Sequence, residues 1–328
     1  MTKEEALRKF PDQIEFSLNN YKNHGLKISD YTNVVIGGLG GSGIGGRITR
    51  IWFAEKLPLP VEIVSDYHLP FYADSKTLLL LCSYSGNTEE TLTMYNEAIA
   101  KGLKPLVLTT GGKILEKAQA DGMYHLIAEK GFQPRMALCY PLTFLLLIFS
   151  EFLNELDAAK TELSTIASRI RERAAHYESE AENLLNQVQK QISNKVIIVT
   201  DAALEGVGIR FAQQIQENAK HEAFQHTLPE ANHNVIETYY GNVPSVFFFL
   251  RSGKNDRVEA RFDFLTSLLE VEYHKVLNIA FDEYDLGSMF ALIYRLDAFT
   301  LKLADLRNVN AVEVPNISSL KEFLEDVE

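Results

Sequence analysis

The sequence is poor in cysteine: Cys82 and Cys139 are the only two among 328 residues. Both lie in apolar surroundings, without CxxC spacing and without a nearby histidine cluster. This pattern argues against a disulfide scaffold and against a structural zinc site. It is typical of a reducing compartment, so we expect a cytoplasmic protein.

Long apolar runs are also missing. The longest, Tyr140–Phe149, is too short to cross a bilayer and is expected to form a buried helix. The N-terminus, MTKEEALRKF, is charged and lacks the hydrophobic core of a signal peptide. We therefore expect a soluble protein that does not associate with membranes.

Basic clusters are absent as well. The chain has 32 Lys and Arg against 44 Asp and Glu, a formal net charge of −12. A nucleic-acid-binding protein needs a basic stripe that replaces phosphate counterions, and no such stripe is present. The composition thus argues against nucleic acid as a partner.

Short β-rich runs alternate with helical stretches, which predicts parallel sheets with helices on both faces. We predict an α/β fold of two αβα lobes: 1–152 with an N-terminal helical arm, a charged helical linker at 153–192, and 193–328 with C-terminal helices. The predicted strands are 33–36, 61–65, 77–82, 105–109, 124–127, 195–200, 221–225, 245–250 and 273–281.

A glycine-rich stretch, VVIGGLGGSGIGG, occupies Val34–Gly46. A P-loop needs a lysine after its last glycine, and none occurs before Lys56, so a nucleotide triphosphate site is excluded. A GxGxxG pattern is present at Gly38–Gly43, and Asp66 follows the next strand, so a dinucleotide such as NAD stays open. A tight turn that binds no ligand also stays open.

A second loop, SYSGNTEET, follows the predicted strand at 77–82. It places three hydroxyls, those of Ser83, Ser85 and Thr88, beside Gly86 at the start of a helix. Backbone N–H groups and the helix dipole favour an anion there, and hydroxyls without a lysine suit a phosphate monoester. The alternative is an N-capping cluster, although a cap uses one hydroxyl rather than three.

Together these motifs resemble the sugar isomerase (SIS) superfamily and, more closely, the bifunctional phosphoglucose/phosphomannose isomerase family. The resemblance spans about residues 30–325. It rests on GGLGGSGIGG (37–46), SYSGNTEET (83–91), PRMA (134–137), QENAK (216–220) and PEANHN (229–234), in the family's order.

The resemblance implies two SIS-type lobes in a homodimer that shares its active site between subunits, and an aldose–ketose isomerase acting on a sugar phosphate. Glucose 6-phosphate and fructose 6-phosphate would interconvert through a cis-enediolate, with mannose 6-phosphate as a further candidate substrate. By resemblance, the phosphate would be bound at Gly41, Ser42, Ser83, Ser85 and Thr88.

The resemblance also assigns the catalytic residues. Glu217 would move the proton between C1 and C2, Arg135 would stabilise the enediolate, and His233 of the neighbouring subunit, with Lys321, would assist ring opening. These residue types suit the chemistry, because a carboxylate can shuttle a proton, arginine stays charged and histidine titrates near neutrality. Since no hydride moves, no NAD, other cofactor or metal is required.

Two departures from the family pattern stand out. Val314 occupies the position of a threonine that the family ties to the mannose epimer, so we expect glucose 6-phosphate to be the better substrate. The loop reads GIGG where GIAG is usual, which we expect to be harmless. A non-catalytic sugar-phosphate sensor, an isomerase of amino-sugar or heptose phosphates, and an NAD-dependent dehydrogenase remain alternatives.

Overall fold

The computed structural model describes residues 1–191, 193–240, 243–281 and 283–325. It divides into two compact units, the first formed by Met1 and Arg8–Arg173, the second by Thr2–Leu7 and Ala174–Glu328. The change of unit falls inside one long helix, between the boundaries at 152 and 193 suggested by the sequence. The division into two lobes and a separate linker stays a prediction.

The first unit is built on five parallel strands. They are β1 (Asn33–Gly37), β2 (Val61–Val64), β3 (Thr77–Ser83), β4 (Leu106–Thr109) and β5 (His125–Ile127), in the order β2-β1-β3-β4-β5. All seven residues of β3 are buried, as expected for a central parallel strand covered on both faces.

Helices flank this sheet on both faces. They are α2 (Phe10–Asn20), α3 (Gly40–Trp52), α4 (Glu89–Ala100), α5 (Gly112–Ala120) and α6 (Cys139–Phe152), whereas α1 (Lys3–Arg8) belongs to the second unit except for Arg8. Helix α6 is apolar on nearly every side and is buried, as its sequence predicts. The next helix, α7 (Leu156–Val188), is 33 residues long and carries the charged sequence expected of a solvated helix.

The second unit repeats the arrangement with four parallel strands. They are β6 (Lys195–Thr200), β7 (Ala223–Thr227), β8 (Ser245–Arg251) and β9 (Lys275–Ala280), in the order β7-β6-β8-β9. Its helices are α8 (Glu205–Ala219), α9 (Asp256–Val271), α10 (Leu286–Leu306) and α11 (Pro315–Glu325). The predicted α/β class with parallel sheets is therefore confirmed in both units.

Two strands begin two residues later than the sequence suggests. The prediction at 221–225 corresponds to β7, and the one at 273–281 to β9. In each case the preceding helix is followed by a residue in the left-handed region, Lys220 at φ 52° and Tyr273 at φ 61°. Such a reversal uses extra residues before the chain can pair, and hydrophobic periodicity does not reveal it.

Cys82 and Cys139 are both free and buried. Burial raises the pKa of the Cys82 thiol to about 12, so this thiol is inert at neutral pH. Within the described parts of the chain, no helix combines the length and apolarity needed to span a membrane.

Candidate active site

The candidate site of the first unit lies at the carboxyl ends of β1 and β3, which are neighbours in the sheet. In a sheet of this order, the connections after these two strands run in opposite directions and leave a crevice where ligands bind. Both sequence motifs, the glycine stretch and the hydroxyl loop, follow these two strands directly.

The glycine stretch allows three backbone segments to come together. A Cβ added at Gly38 would lie 2.9 Å from the carbonyl oxygen of Cys82 in β3, and one at Gly43 would lie 2.5 Å from that of Gly38. A Cβ at Gly41 would lie 2.8 Å from the carbonyl oxygen of Pro134. The glycines are therefore required by close approach of backbone, which any larger residue would prevent.

The departure from the family at Gly45 is sterically mild. A Cβ there would lie 3.3 Å from the backbone nitrogen of Leu142 in α6, a tight contact that a small shift can relieve.

Ser42 joins the two loops. Its side chain is almost fully buried, and its Oγ accepts a hydrogen bond of 3.2 Å from the backbone N–H of Tyr84. Helix α3, on which Ser42 lies, has Leu39 at its N-cap and no side-chain cap hydrogen bond. Its N-terminus therefore lacks the side-chain acceptor that usually occupies this place.

The hydroxyl loop is internally braced. Ser83 Oγ lies 2.9 Å from Thr88 Oγ1 and accepts a 3.1 Å hydrogen bond from the Gly86 N–H. Ser85 is exposed, and its Oγ accepts a 3.2 Å hydrogen bond from the Asn87 N–H. Thr88 occupies the N-cap of α4 but makes no side-chain cap hydrogen bond. Capping therefore does not explain these three hydroxyls.

The loop after β4 supports the hydroxyl loop. Its residues were not among the site residues predicted from the sequence. Gly86 is left-handed at φ 71°, and an added Cβ would lie 1.8 Å from the carbonyl oxygen of Gly111. Thr110 donates from Oγ1 to the carbonyl oxygen of Tyr84 at 2.7 Å. The signal was available in the sequence, because the hydroxyls and glycines of TTGG (109–112) stand at the end of a predicted strand.

Arg135 belongs to the same region. It lies in a short 3-10 helix, Pro134–Met136, whose first carbonyl faces Gly41, and only 3% of its surface is exposed. Gln13 of α2 holds the end of this turn, because its Nε2 donates to the Met136 carbonyl oxygen at 2.8 Å. The structure therefore brings Gly41, Ser42, Ser83, Ser85, Thr88 and Arg135 into one corner of the first unit.

The topology does not favour a dinucleotide. Dinucleotide-binding sheets have the order 3-2-1-4-5-6, in which the first strand pairs with the fourth, whereas β1 here pairs with β3. Asp66, the candidate ribose ligand, lies two residues beyond β2, and its Oδ1 accepts a 2.6 Å hydrogen bond from the Tyr67 N–H.

In the second unit, Glu217 lies half-buried in the last turn of α8. The other residues of QENAK hold this turn in place. Gln216 donates from Nε2 to the carbonyl oxygen of Ala223 in β7 at 2.7 Å. Buried Asn218 donates from Nδ2 to Gln214 Oε1 at 2.7 Å and to Thr300 Oγ1 of α10 at 2.9 Å.

A buried ion pair adds a second link between α8 and α10. The sequence did not predict this pair. Arg210 Nη2 lies 2.5 Å from Asp297 Oδ2, and both side chains are almost entirely buried. Burial raises the pKa of Asp297, and the neighbouring guanidinium opposes that rise. The helix that carries Glu217 is therefore fixed along its length.

His233 and Lys321 occupy exposed positions on two further elements of the second unit. His233 ends the 3-10 helix Glu230–His233, and Lys321 lies on α11. The loop of His233 is braced, since Asn234 Nδ2 donates to Glu230 Oε1 at 3.1 Å. Exposure of this histidine is what a residue needs if it is to reach a neighbouring subunit.

Comparison with known proteins finds a matching family model and relatives that cover most of the chain. Residues 177–324 match the model of the bacterial phospho-glucose isomerase C-terminal SIS domain. A bifunctional phosphoglucose/phosphomannose isomerase from Caldicellulosiruptor bescii is 34% identical, with 98% of this chain and 99% of the relative covered. A D-glucosamine-6-phosphate 4-epimerase from Sulfolobus acidocaldarius is 32% identical, with 87% of each covered.

Among solved structures, the C-terminal domain of glucosamine-fructose-6-phosphate aminotransferase from Francisella tularensis is similar in fold. Its TM-score is 0.75 at 13% identity, covering 95% of this chain and 98% of that one. The sequence motifs, the loops that they form and the 34% identity over nearly the full length agree. The chain therefore belongs to the bifunctional phosphoglucose/phosphomannose isomerase family.

Proposed function

We propose that this protein is an aldose–ketose isomerase that interconverts glucose 6-phosphate and fructose 6-phosphate. The observation that carries the proposal is the braced hydroxyl loop Ser83–Thr88 at the start of α4, whose N-cap threonine makes no side-chain cap hydrogen bond. Such a loop suits a phosphate monoester. Membership of the isomerase family indicates that this monoester is a sugar phosphate.

The phosphate is bound in the first unit. Ser85 and Thr88 donate hydroxyl hydrogen bonds to it, while Ser42 and Ser83 shape the two loops from below. Gly41 contributes its backbone at the first turn of α3, where a helix N-terminus favours an anion. Charge-assisted hydrogen bonds from hydroxyl and N–H donors to a phosphate are short and strong.

Proton transfer is the task of Glu217. It takes the proton from one carbon of the open-chain sugar and returns it to the neighbouring carbon on the same face, through a cis-enediolate. Arg135 stabilises the negative charge that develops on the enediolate oxygens, since its guanidinium remains protonated throughout. A proton moves in this reaction and a hydride does not, so the proposal requires no nicotinamide.

Ring opening must precede this step, because glucose 6-phosphate is mostly cyclic. His233 and Lys321 assist it by moving protons at the ring oxygen and the anomeric hydroxyl. The exposed position of His233 supports its delivery to the site of a second subunit, so the active protein is a homodimer. The free cysteines support a reducing, cytoplasmic location.

A second candidate function comes from the relative that is named as a D-glucosamine-6-phosphate 4-epimerase. The phosphate loop would suit glucosamine 6-phosphate equally well, since it contacts only the phosphate. The two functions differ at the sugar carbon that reacts.

The decisive experiment is a side-by-side assay of the purified protein with fructose 6-phosphate, glucose 6-phosphate, mannose 6-phosphate and glucosamine 6-phosphate. We expect turnover of the first two and slower turnover of mannose 6-phosphate. Exchange of the C2 proton of glucose 6-phosphate with deuterium from solvent would support the enediolate. Turnover of glucosamine 6-phosphate alone would favour the epimerase, and no turnover with tight sugar-phosphate binding would favour a sensor.

A further inference from the structure

Lys220 ends α8 in an unusual conformation for a lysine. Its φ and ψ are 52° and 44°, in the left-handed region. Glycine or asparagine is the common residue at this point of a helix, because a Cβ is unfavourable there. A lysine at this position therefore indicates that its side chain makes contacts that offset the unfavourable backbone conformation.

The ammonium group of Lys220 binds two carbonyl oxygens. One belongs to Glu217, three residues earlier, and the other to Glu313, to which Nζ donates at 2.7 Å. A cation at the C-terminus of a helix binds the carbonyl groups that have no partner within the helix and interacts favourably with the dipole. Charge-assisted bonds of this kind are stronger than neutral ones.

The segment that Lys220 binds is itself ordered by local contacts. Asn310 Oδ1 accepts from the N–H of Val312 at 2.8 Å and from that of Glu313 at 3.4 Å. Arg307 makes a second link, since its Nε donates to the carbonyl oxygen of Ala219 at 2.9 Å. Two cations therefore join the last turn of α8 to the chain between α10 and α11.

The two carbonyls belong to the elements that carry the proposed proton-transfer groups. Glu217 is the proposed base, and Glu313 directly precedes Val314 and stands two residues before α11, the helix of Lys321. A single ammonium group thus fixes the separation between the turn of the base and the start of α11.

We propose that Lys220 is a positioning residue for the isomerase reaction, because it couples the turn of Glu217 to the segment that leads to Lys321. The inference rests on the proposed function and adds to it a residue that touches no substrate. Its loss changes where the proton-transfer groups stand, and a misplacement of about 1 Å can lower the rate by about 100-fold.

The test is Lys220→Gly. Glycine accepts the left-handed conformation more easily than lysine does, so the fold is expected to survive, with a melting temperature within about 4 °C of the wild type. We expect kcat with fructose 6-phosphate to fall by about 10- to 100-fold while KM changes by less than about threefold. Lys220→Arg keeps a cation and should restore part of kcat.

Tyr273→Gly is the matched control. Tyr273 is left-handed at φ 61° after α9, and its side chain is 95% exposed, so this substitution relieves the same kind of backbone strain without removing a comparable contact. Its kcat should equal that of the wild type. An unchanged kcat in Lys220→Gly, or a fall that follows the folded fraction, would overturn the coupling alone. A wild-type chain inactive on every sugar would overturn the proposed function and the coupling with it.

Discussion

The four strands of the second sheet have the same order as the first four of the first sheet. The loops that follow equivalent strands are nevertheless joined by different side chains. In the first unit, the residue after β3, Tyr84, donates its N–H to the neutral Ser42 Oγ. In the second unit, the residue after β8, Ser252, donates its N–H at 2.8 Å to Asp201 Oδ2. The equivalent bridge between two strand-end loops is therefore made by a hydroxyl in one unit and by a carboxylate in the other.

The helix N-termini at these loops follow this division only in part. Asp201 also accepts from the N–H of Leu204 at 3.0 Å, and Asn255 accepts from two N–H groups at the start of α9. The N-caps of α3 and α4 make no side-chain cap hydrogen bond. Asp201 caps the 3-10 helix Ala202–Leu204 and Asn255 caps α9. Leu204, the N-cap of α8, makes no side-chain cap hydrogen bond, as at α3 and α4. We infer that the Asp201 carboxylate disfavours a phosphate at this strand-end loop of the second unit, and we propose that Glu217 of that unit is the base.

The largest effect that this division predicts is on proton transfer. Glu217→Gln should lower kcat by about 10²–10⁴-fold, because the amide cannot take up the proton. Binding of fructose 6-phosphate, measured by calorimetry, should persist because the phosphate loops are unchanged. Glu222→Gln, an exposed glutamate just beyond α8, is the control and should keep full activity. Full activity of Glu217→Gln would remove Glu217 as the base.

The second prediction concerns stability. Asp201→Ala removes a charged acceptor from two backbone N–H groups and should lower the free energy of unfolding by about 3 kcal/mol. Ser42→Ala removes the equivalent neutral bridge and should cost only about 1 kcal/mol. Chemical denaturation of both variants measures the difference. Equal losses of unfolding free energy would mean that the carboxylate of Asp201 stabilises its loop no more than the hydroxyl of Ser42 does.

The third prediction concerns phosphate binding. Ser85→Ala should raise KM for fructose 6-phosphate by about 10-fold, the value of one hydrogen bond to a charged group, with little change in kcat. Ser252→Ala, which alters the equivalent loop of the second unit, should leave KM unchanged. A rise in KM for both variants would show that both units bind phosphate.

The smallest effect is expected on substrate preference. Val314→Thr restores the family's hydroxyl and should raise turnover of mannose 6-phosphate relative to glucose 6-phosphate by about threefold. Val314→Ala changes the size of the side chain without adding a hydroxyl and serves as the control. The same shift in both variants would assign the effect to size and not to a hydrogen bond.

The sequence alone was sufficient for the existence of the strands and for their parallel class. Strand β3 reads as a buried run because Leu78–Cys82 are all apolar, and the SYSGNT motif is recognisable from its local composition. The late starts of β7 and β9 were not predictable, because they depend on left-handed residues that are not glycines. The bridge made by Asp201 was not predictable either, because it joins two strand ends that are distant in the sequence.

The sequence by itself therefore determined which chemical groups are available. It has glycines where backbone segments must approach each other, hydroxyls where an anion can bind, and a carboxylate in QENAK. Only the tertiary structure decided which of these groups meet. Ser42 and Tyr84 stand 42 residues apart, Asp201 and Ser252 51 apart, and Lys220 and Glu313 93 apart. The physical reason is range: periodicity and turn chemistry act within a few residues, whereas these bonds form only after the parallel sheet has brought distant strand ends to one edge and the helices have packed beside it.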